Sequence, residues 1–552
     1  MARAERKAAA AQSALTGVMT HRQIMFVLFG LMAGMFLSAL DQSVVGTAMR
    51  TIADDLNGLS AQAWVTTAYL ITSTIATPIY GKLGDIFGRR KLFITAISIF
   101  IFGSVISGLA NTMYELAAYR AIQGIGAGGL FALALTILAD IVPPRDRARY
   151  QGMFLAVFGT SSVLGPLIGG LLAGMDSFLG ITGWRWIFLM NLPIGAIALL
   201  LVLSFLHVPH LEAKSKRIDW WGVLTIIVGV VPLLIVAEQG REWGWSSPNA
   251  FIAYILGAIG IASFIIIERK MGEDAILPLH IFKSSTFSLT TLLGVIVGMG
   301  MFGGMISLPL VLQIVYGASP TEAGYLMIPM VMGLMFSSIM SGQITGKTGK
   351  YKIFMVLGTA LMSISFLYLS TLVYTWEIWQ ISIGMVIMGL GLGQMMQTLT
   401  IASQNAVEAK DIGVATSSST FFRQMGGTLG VAVFLSILFN NLADKGSEIG
   451  AKIQAAIAAN PALLNDPRNS AFTSGQDISD LIQSDSSFLK TASPELADPI
   501  KQAFAESTAG VFIAASVVVI AAFALSIFIK EVALRTKSGV QEKAEQAAAS
   551  MH

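Results

Sequence analysis

GKLGDIFGRRK, from Gly81 to Lys91, sets four basic residues and one acid between two long apolar runs. A weaker copy, GQITGKTGKYK, runs from Gly342 to Lys352. Their first glycines lie 261 residues apart, and at that offset Gly88 falls on Gly349, Arg89 on Lys350 and Lys91 on Lys352. A basic connection that occurs twice between apolar runs predicts a chain of two related halves. Each half then carries a short loop between its second and third membrane spans.

Composition agrees. The chain has 552 residues, of which 54% are hydrophobic and 12% charged. That charged share is about half of the roughly 25% usual in soluble domains. Such a chain cannot cover its apolar surface with charge and reads as an all-α polytopic membrane protein. The net charge of +3 is no sign of nucleic-acid binding, because the basic residues sit in loops beside the apolar runs. Cysteine is absent, which excludes disulfides and thiolate metal sites. Arg3, Arg6 and Lys7 precede an apolar run too long for a signal peptide, so that run is expected to be a retained span.

A span needs about 20 mainly apolar residues. Fourteen stretches qualify: 24–46, 63–81, 92–110, 116–139, 152–173, 187–206, 220–238, 250–267, 286–308, 323–345, 353–373, 378–400, 412–439 and 508–529. They are spans 1 to 14 below. An even number puts both termini on one side. With the N-terminus inside, the inner segments hold 25 Lys and Arg and the outer ones 8, five of those in one loop. Arg120 and Arg423 fall within spans. The positive-inside rule then places both termini in the cytoplasm. Basic groups recur on the inner side: Lys82, Arg89, Arg90 and Lys91; Arg145, Arg147 and Arg149; Lys214, Lys216 and Arg217; Lys347, Lys350 and Lys352.

The repeat matches spans 2 and 3 with spans 10 and 11, which leaves spans 7 and 8 as a central insertion. The expected division is a cytoplasmic tail 1–23, a six-helix half 24–206, a linker with the two inserted spans 207–285, a second six-helix half 286–530 and a cytoplasmic tail 531–552. Parallel halves of six spans around a midplane site are a recurring transporter plan. The outer loop 440–507, with nine acidic and five basic residues, is broken at Asn460-Pro461 and Ser493-Pro494. LADKGSEIGAKIQAAIAAN before the first break reads as a short helix. The loop reads as a solvated cap or spacer, and nothing in its sequence supports a partner-docking role.

Four stretches, in order and on successive spans, carry a family resemblance over roughly residues 20–535. LDQSVVGTAMRTIADDL (Leu40–Leu56) resembles the span 1 motif of the 14-span drug:proton antiporters of the major facilitator superfamily. GKLGDIFGRRK resembles that superfamily's loop between spans 2 and 3. YRAIQGIGAGG (Tyr119–Gly129) resembles its arginine-centred span 4 motif, and GTSSVLGPLIGG (Gly159–Gly170) its antiporter motif in span 5. The resemblance implies a major facilitator fold: two six-helix halves plus a two-helix insertion, 14 transmembrane helices. There are departures. Arg50 stands where the span 1 motif often has Pro, and Gly346 where the second loop copy would carry its acid. Span 13 has Arg423 and no carboxylate, so the further membrane acids of some multidrug relatives have no counterpart.

Asp41 is the first candidate for chemistry, since a carboxylate within a span is expensive and marks a functional site by default. It lies about 10 Å from the outer end of span 1 at 1.5 Å per residue, and Arg120 lies at a similar depth in span 4. They can pair, with Gln123 one turn away able to share the network. One reading is a fixed ion pair that orients spans 1 and 4. The other, which the resemblance supports, is a coupling carboxylate that binds a proton or a substrate. Burial disfavours a charged carboxyl and a nearby cation favours it, so a site alternating between those states can exchange one for the other. Arg120 stays charged throughout. Arg423 either lines the cavity or bonds to backbone carbonyls. Gln394, Gln397 and Asn191 are further cavity candidates. Among the 27 Met and 31 Phe, those that line the cavity suit promiscuous binding.

In span 5, Gly159, Gly165, Pro166, Gly169 and Gly170 leave one face nearly without side chain, which permits close packing and a bend. By resemblance this face also seals a leak path. In the loop, Gly81, Gly84 and Gly88 accompany Asp85, Arg89 and Arg90. By resemblance Asp85 caps a span of the other half, span 13 near Ile412, when the inner side is closed. The basic residues there are expected to set topology and to need no further role.

The best overall reading is a proton-coupled antiporter in the cell membrane. It would act as a monomer and export hydrophobic, often cationic, small molecules by alternating access, with no cofactor, metal or nucleic acid. A dedicated exporter of a lipid or metabolite on the same fold, or a symporter, stays open. An enzyme has little material: all five His (His21, His207, His210, His280 and His552) sit in loops, span edges or tails, and no acids cluster within spans. A scaffold or receptor would not need a membrane carboxylate.

Overall fold

The computed structural model describes residues 21–58, 61–206, 217–473, 488–539 and 541–542. Arg3, Arg6, Lys7, His207, His210, Lys214, Lys216, His552, part of loop 440–507, and the side chains of His21 and Arg149 lie outside the described residues.

Among those residues, thirteen helices are long and apolar enough to cross a membrane. The expected span 2 is also a helix, Gln62–Phe87, but is too polar to join that set. Its 26 residues reach about 39 Å, so fourteen spans are compatible with the fold. Three of its hydroxyls bond within the helix, those of Thr72, Ser73 and Thr77: Thr72 Oγ1 donates to the Ala68 carbonyl at 2.9 Å, and Thr77 Oγ1 to that of Ser73 at 2.8 Å. A polar helix of this kind is suited to being covered by other helices rather than by lipid. Several helices outrun the expected spans. Span 1 is His21–Asp55, span 13 is Ile412–Asp444 and span 14 is Pro494–Phe528. Span 6 is broken at Met190 into Arg185–Leu189 and Asn191–Phe205.

Apolar packing falls into separate clusters. Two are built from spans 1 to 6, around Leu31, Phe93, Phe100 and Leu130, and around Leu40, Val45 and Trp184. Another joins spans 9 to 14, around Val297, Met355, Phe366, Met388 and Phe512. Spans 7 (Trp220–Trp243) and 8 (Pro248–Met271) form a hairpin. It rests on the seam between spans 2 and 13, through Ile226, Val230 and Leu234 against Ile71, Ile75 and Phe421. The segment after span 8 stitches that seam at one end. Lys82 Nζ donates to the Glu273 carbonyl at 2.6 Å, and Lys410 Nζ lies 3.1 Å from the Glu273 carboxylate. His280 Nε2 is 3.0 Å from Asp411 Oδ2.

The helix Gly446–Ala459 stands where the loop sequence predicted one. Beyond it Asn469, fully buried, donates to the Leu463 carbonyl and to Ser493 Oγ, at 2.8 and 3.0 Å. These bonds fold part of the segment between spans 13 and 14 back onto the start of span 14.

Candidate functional site

The two charges within the first six spans do meet. Arg120 Nη1 donates to Asp41 Oδ2 at 2.5 Å, and both residues are 1% exposed. Gln123 closes a triangle: its Oε1 accepts from Arg120 Nη1 at 2.8 Å and its Nε2 donates to Asp41 Oδ1 at 2.9 Å. Asn191, at the break in span 6, donates from Nδ2 to Asp41 Oδ1 at 2.7 Å and to Ser104 Oγ at 2.9 Å. The Arg120 guanidinium carbon lies 4.0 Å from the centre of the Tyr69 ring, whose hydroxyl is 3.0 Å from Ser38 Oγ. Spans 1, 2, 3, 4 and 6 thus converge on one polar cluster. Small residues bring them there. A Cβ on Gly103 of span 3 would lie 2.6 Å from the backbone nitrogen of Gln123. One on Gly124 would lie 2.5 Å from the Tyr69 carbonyl. Larger residues would hold spans 3 and 2 away from span 4.

The Gln123 amide matters chemically. It donates to the acid and accepts from the base, so Arg120 keeps one partner if Asp41 is neutralised. Asp41 is the only group of the three whose charge can change, because guanidinium stays protonated. Sequence reasoning named Asn191 as a cavity residue. The structure instead makes it the fourth member of this cluster. Tyr69, Ser38 and Ser104 were missed; the one hint was the run of hydroxyl residues in span 2.

A second polar cluster lies at the other end of spans 2 and 4. Gly88, at φ 91°, ends the helix Gln62–Phe87 and starts Arg89–Ser107. That backbone region favours glycine. Gly349, its counterpart in the repeat, has φ 74°. Arg89 Nη2 lies 2.6 Å from Asp85 Oδ1, and its Nε 2.7 Å from Asp140 Oδ2. Arg90 Nη2 donates to the Leu203 carbonyl at 2.8 Å. The expectation that these arginines only set topology is therefore corrected: Arg89 is a buried bridge between two acids, and Arg90 ties span 3 to span 6. Asp140 was missed because it ends an apolar helix and looks like a loop-edge residue.

Asp85 also faces the opposite half of the chain. A Cβ on Gly413, in the first turn of span 13, would lie 2.6 Å from Asp85 Oδ2 and 2.7 Å from Oδ1. Gly81 lies against Ser417 one turn on, and Gly84 against Leu133. Beside them Arg145 reaches the end of span 10. Its Nε donates to the Gly346 carbonyl at 2.8 Å and its Nη2 to that of Lys347 at 2.7 Å. Arg147 bonds Gln404 of span 12 and donates to the Ala139 and Val142 carbonyls at 2.8 and 3.0 Å. This end of the bundle is closed.

Span 5 runs between spans 1 and 10. Gly165 and Gly169 face Ser43 and Val44 of span 1. Gly159 faces Val331, Gly170 faces Thr321, and Pro166 touches Gly324. Of the remaining candidates, Gln397 accepts from Ser338 at 2.9 Å and Gln394 donates to the Leu390 carbonyl at 3.2 Å. Arg423 stands apart from the Asp41 cluster.

Long apolar helices around a buried, hydrogen-bonded charge cluster, bridged at one end by polar contacts, define a polytopic membrane transporter. The sequence pattern of the Major Facilitator Superfamily matches residues 31–431. The chain is 38% identical over 448 residues to the multidrug transporter protein MdtP of Bacillus subtilis (strain 168), covering 78% of this chain and 81% of that protein. It is 36% identical over 422 residues to multidrug resistance protein 3 of the same organism, covering 76% and 80%. Among solved structures it resembles the proton:xylose symporter XylE, with a TM-score of 0.58 at 14% identity, over 95% of this chain and 99% of that one. The likeness to XylE speaks to fold alone. The chain belongs to the Major Facilitator Superfamily.

Proposed function

We propose that this transporter is a proton-coupled antiporter that exports hydrophobic, often cationic, small molecules by alternating access. The observation that carries the reading is the bonding of Asp41, a buried carboxylate held by Arg120, Gln123 and Asn191. Protonation of Asp41 removes the charge that Arg120 faces, while Gln123 still accepts from Arg120. A cationic substrate that draws on the same carboxylate competes with the proton, and that competition is what exchange requires. The names of the bacterial relatives support drug-like cargo. Two rocking halves, 24–206 and 286–530, would open the site to either side in turn, with the Asp85–Gly413 contact as a latch. The excess of Lys and Arg in alternate loops supports cytoplasmic termini in the cell membrane.

The test is dye efflux from membrane vesicles with an imposed pH gradient. Wild type is expected to transport in proportion to the gradient. Asp41→Asn should insert and fold but lose that dependence. Gradient-independent transport by wild type, or unchanged coupling in Asp41→Asn, would overturn the proposal.

A further inference from the structure

Span 13 carries a charge that the Asp41 cluster does not balance. Arg423 lies eleven residues into the helix Ile412–Asp444. That is about 16 Å from its end, near the middle of a hydrocarbon core about 30 Å thick. It is 8% exposed, and among the described residues no side chain or carbonyl bonds its guanidinium. Spans 9, 11 and 12 contain no acid. The acids of spans 10, 13 and 14 (Glu322, Asp444, Glu495, Asp498 and Glu506) lie toward the far end of the bundle from Asp85. Arg120, by contrast, is matched by a carboxylate, and Arg147 by three oxygens. An isolated charge at this depth is costly and is kept where it has a partner to meet.

The contacts of span 13 show which way Arg423 lies. Ser417 and Gln424 face span 2; Gln424 Oε1 is 3.4 Å from Thr77 Oγ1. Ser419 bonds Ser403 of span 12 at 3.3 Å, and Gly426 and Gly430 pack on Val295 and Met299 of span 9. Leu429 and Val433 are on the exposed side. At 100° per residue, Arg423 falls with Thr416 and Thr420 on the arc between the span 2 and span 9 contacts, away from Leu429. That arc lies between a contact with the first half, at span 2, and contacts with the second, at spans 9 and 12. Across from it Gly294 of span 9 approaches the Arg423 Cβ, and Thr291, one turn from Gly294, has a buried hydroxyl with no partner.

We propose that Arg423 binds the anionic group, a carboxylate or sulfonate, of amphiphilic substrates in the central cavity. The proposal rests on the transport reading above and narrows its substrate class. A planar guanidinium offers a fork of donors that matches such groups in bidentate fashion. An anionic group meets in Arg423 a guanidinium with no acid on spans 9, 11 or 12 to compete for it.

The test uses two probes whose charge is fixed across working pH: the anion 8-anilinonaphthalene-1-sulfonate and the cation tetraphenylphosphonium. Equilibrium binding is measured on the full-length protein in lipid nanodiscs. Arg423→Gln is expected to weaken the anion about tenfold or more relative to the cation, the effect of one charge-assisted hydrogen bond. Arg423→Lys should recover part of that ratio, because it keeps the charge and loses the fork, and it serves if the glutamine variant does not fold. Equal weakening of both probes, no change in the ratio, or no anion binding by wild type would overturn the proposal. Asp41→Asn forms a separate arm and should weaken the cation relative to the anion. Failure there alone would count against the Asp41 reading and leave the Arg423 assignment standing.

Discussion

Asp41 shows how much one buried carboxylate requires of its neighbours. Its Oδ1 accepts from Gln123 and Asn191, and its Oδ2 from Arg120. Asn191→Leu removes a donor to Asp41 and the contact with Ser104 at once. It should cost about 1–3 kcal/mol and appear as a lower unfolding temperature of the purified protein. Gln123→Leu removes both a donor to Asp41 and an acceptor from Arg120, so its loss of stability and of vesicle efflux should be the larger of the two. A smaller effect for Gln123→Leu than for Asn191→Leu would contradict the role given to its amide. At this scale the sequence was partly legible. Two opposite charges at one depth in neighbouring spans must pair or be lost to desolvation, so Asp41 and Arg120 could be joined without coordinates. An amide such as Asn191 bears no such constraint, so its partner could not be read from the sequence.

The end of the bundle that holds Asp85 is read best as helices meeting at their ends. The repeated loop places Gly88 and Gly349 at equivalent turns, yet the two copies contact the opposite half with reversed polarity. In the first, the Asp85 carboxylate lies against the opening turn of span 13, where a negative charge is favoured by the helix dipole. In the second, the Gly346 and Lys347 carbonyls at a helix end accept from Arg145. A Cβ at position 346 would lie 3.1 Å from the Arg145 carbonyl, so a larger residue there would press on this contact between the halves. The loop's topology and duplication were legible in the sequence; its buried Arg89 bridge was not, because Asp140 is distant in the chain. Span 2 was legible as a span, although its hydroxyl content hides it from a hydropathy test. Ser417 lies buried in the seam beside Gly81. The chain has no cysteine, so Ser417→Cys would be its sole thiol. Asp85→Asn or Gly413→Ala in that background should raise maleimide labelling from the inner side roughly two- to fivefold, the effect of losing a contact of about 0.3–1 kcal/mol. Unchanged labelling would remove Asp85 from the latch.

At the scale of the whole molecule, orientation and closure are coupled. The basic loops and the polar contacts Asp85–Gly413, Arg145–Gly346 and Arg147–Gln404 lie on one end of the bundle. The same lysines and arginines that resist crossing the membrane during insertion therefore supply the groups that bridge the halves. On the positive-inside rule that end is expected to face the cytoplasm, since 25 of the 35 basic residues fall in the tails and alternate loops on its side. The segment Gly446–Ala459, after span 13, then lies outside. Two single-cysteine variants decide it. Ala451 and Lys350 are both exposed, one on that outer helix and one in the second loop copy. A membrane-impermeant maleimide added to intact cells should label Ala451→Cys and spare Lys350→Cys, and inverted vesicles should reverse the result. Labelling of Lys350→Cys in intact cells would break the link between the basic loops and the cytoplasm. The closed end would then have to be the outer gate, and Asp85 a latch against release rather than against uptake from inside.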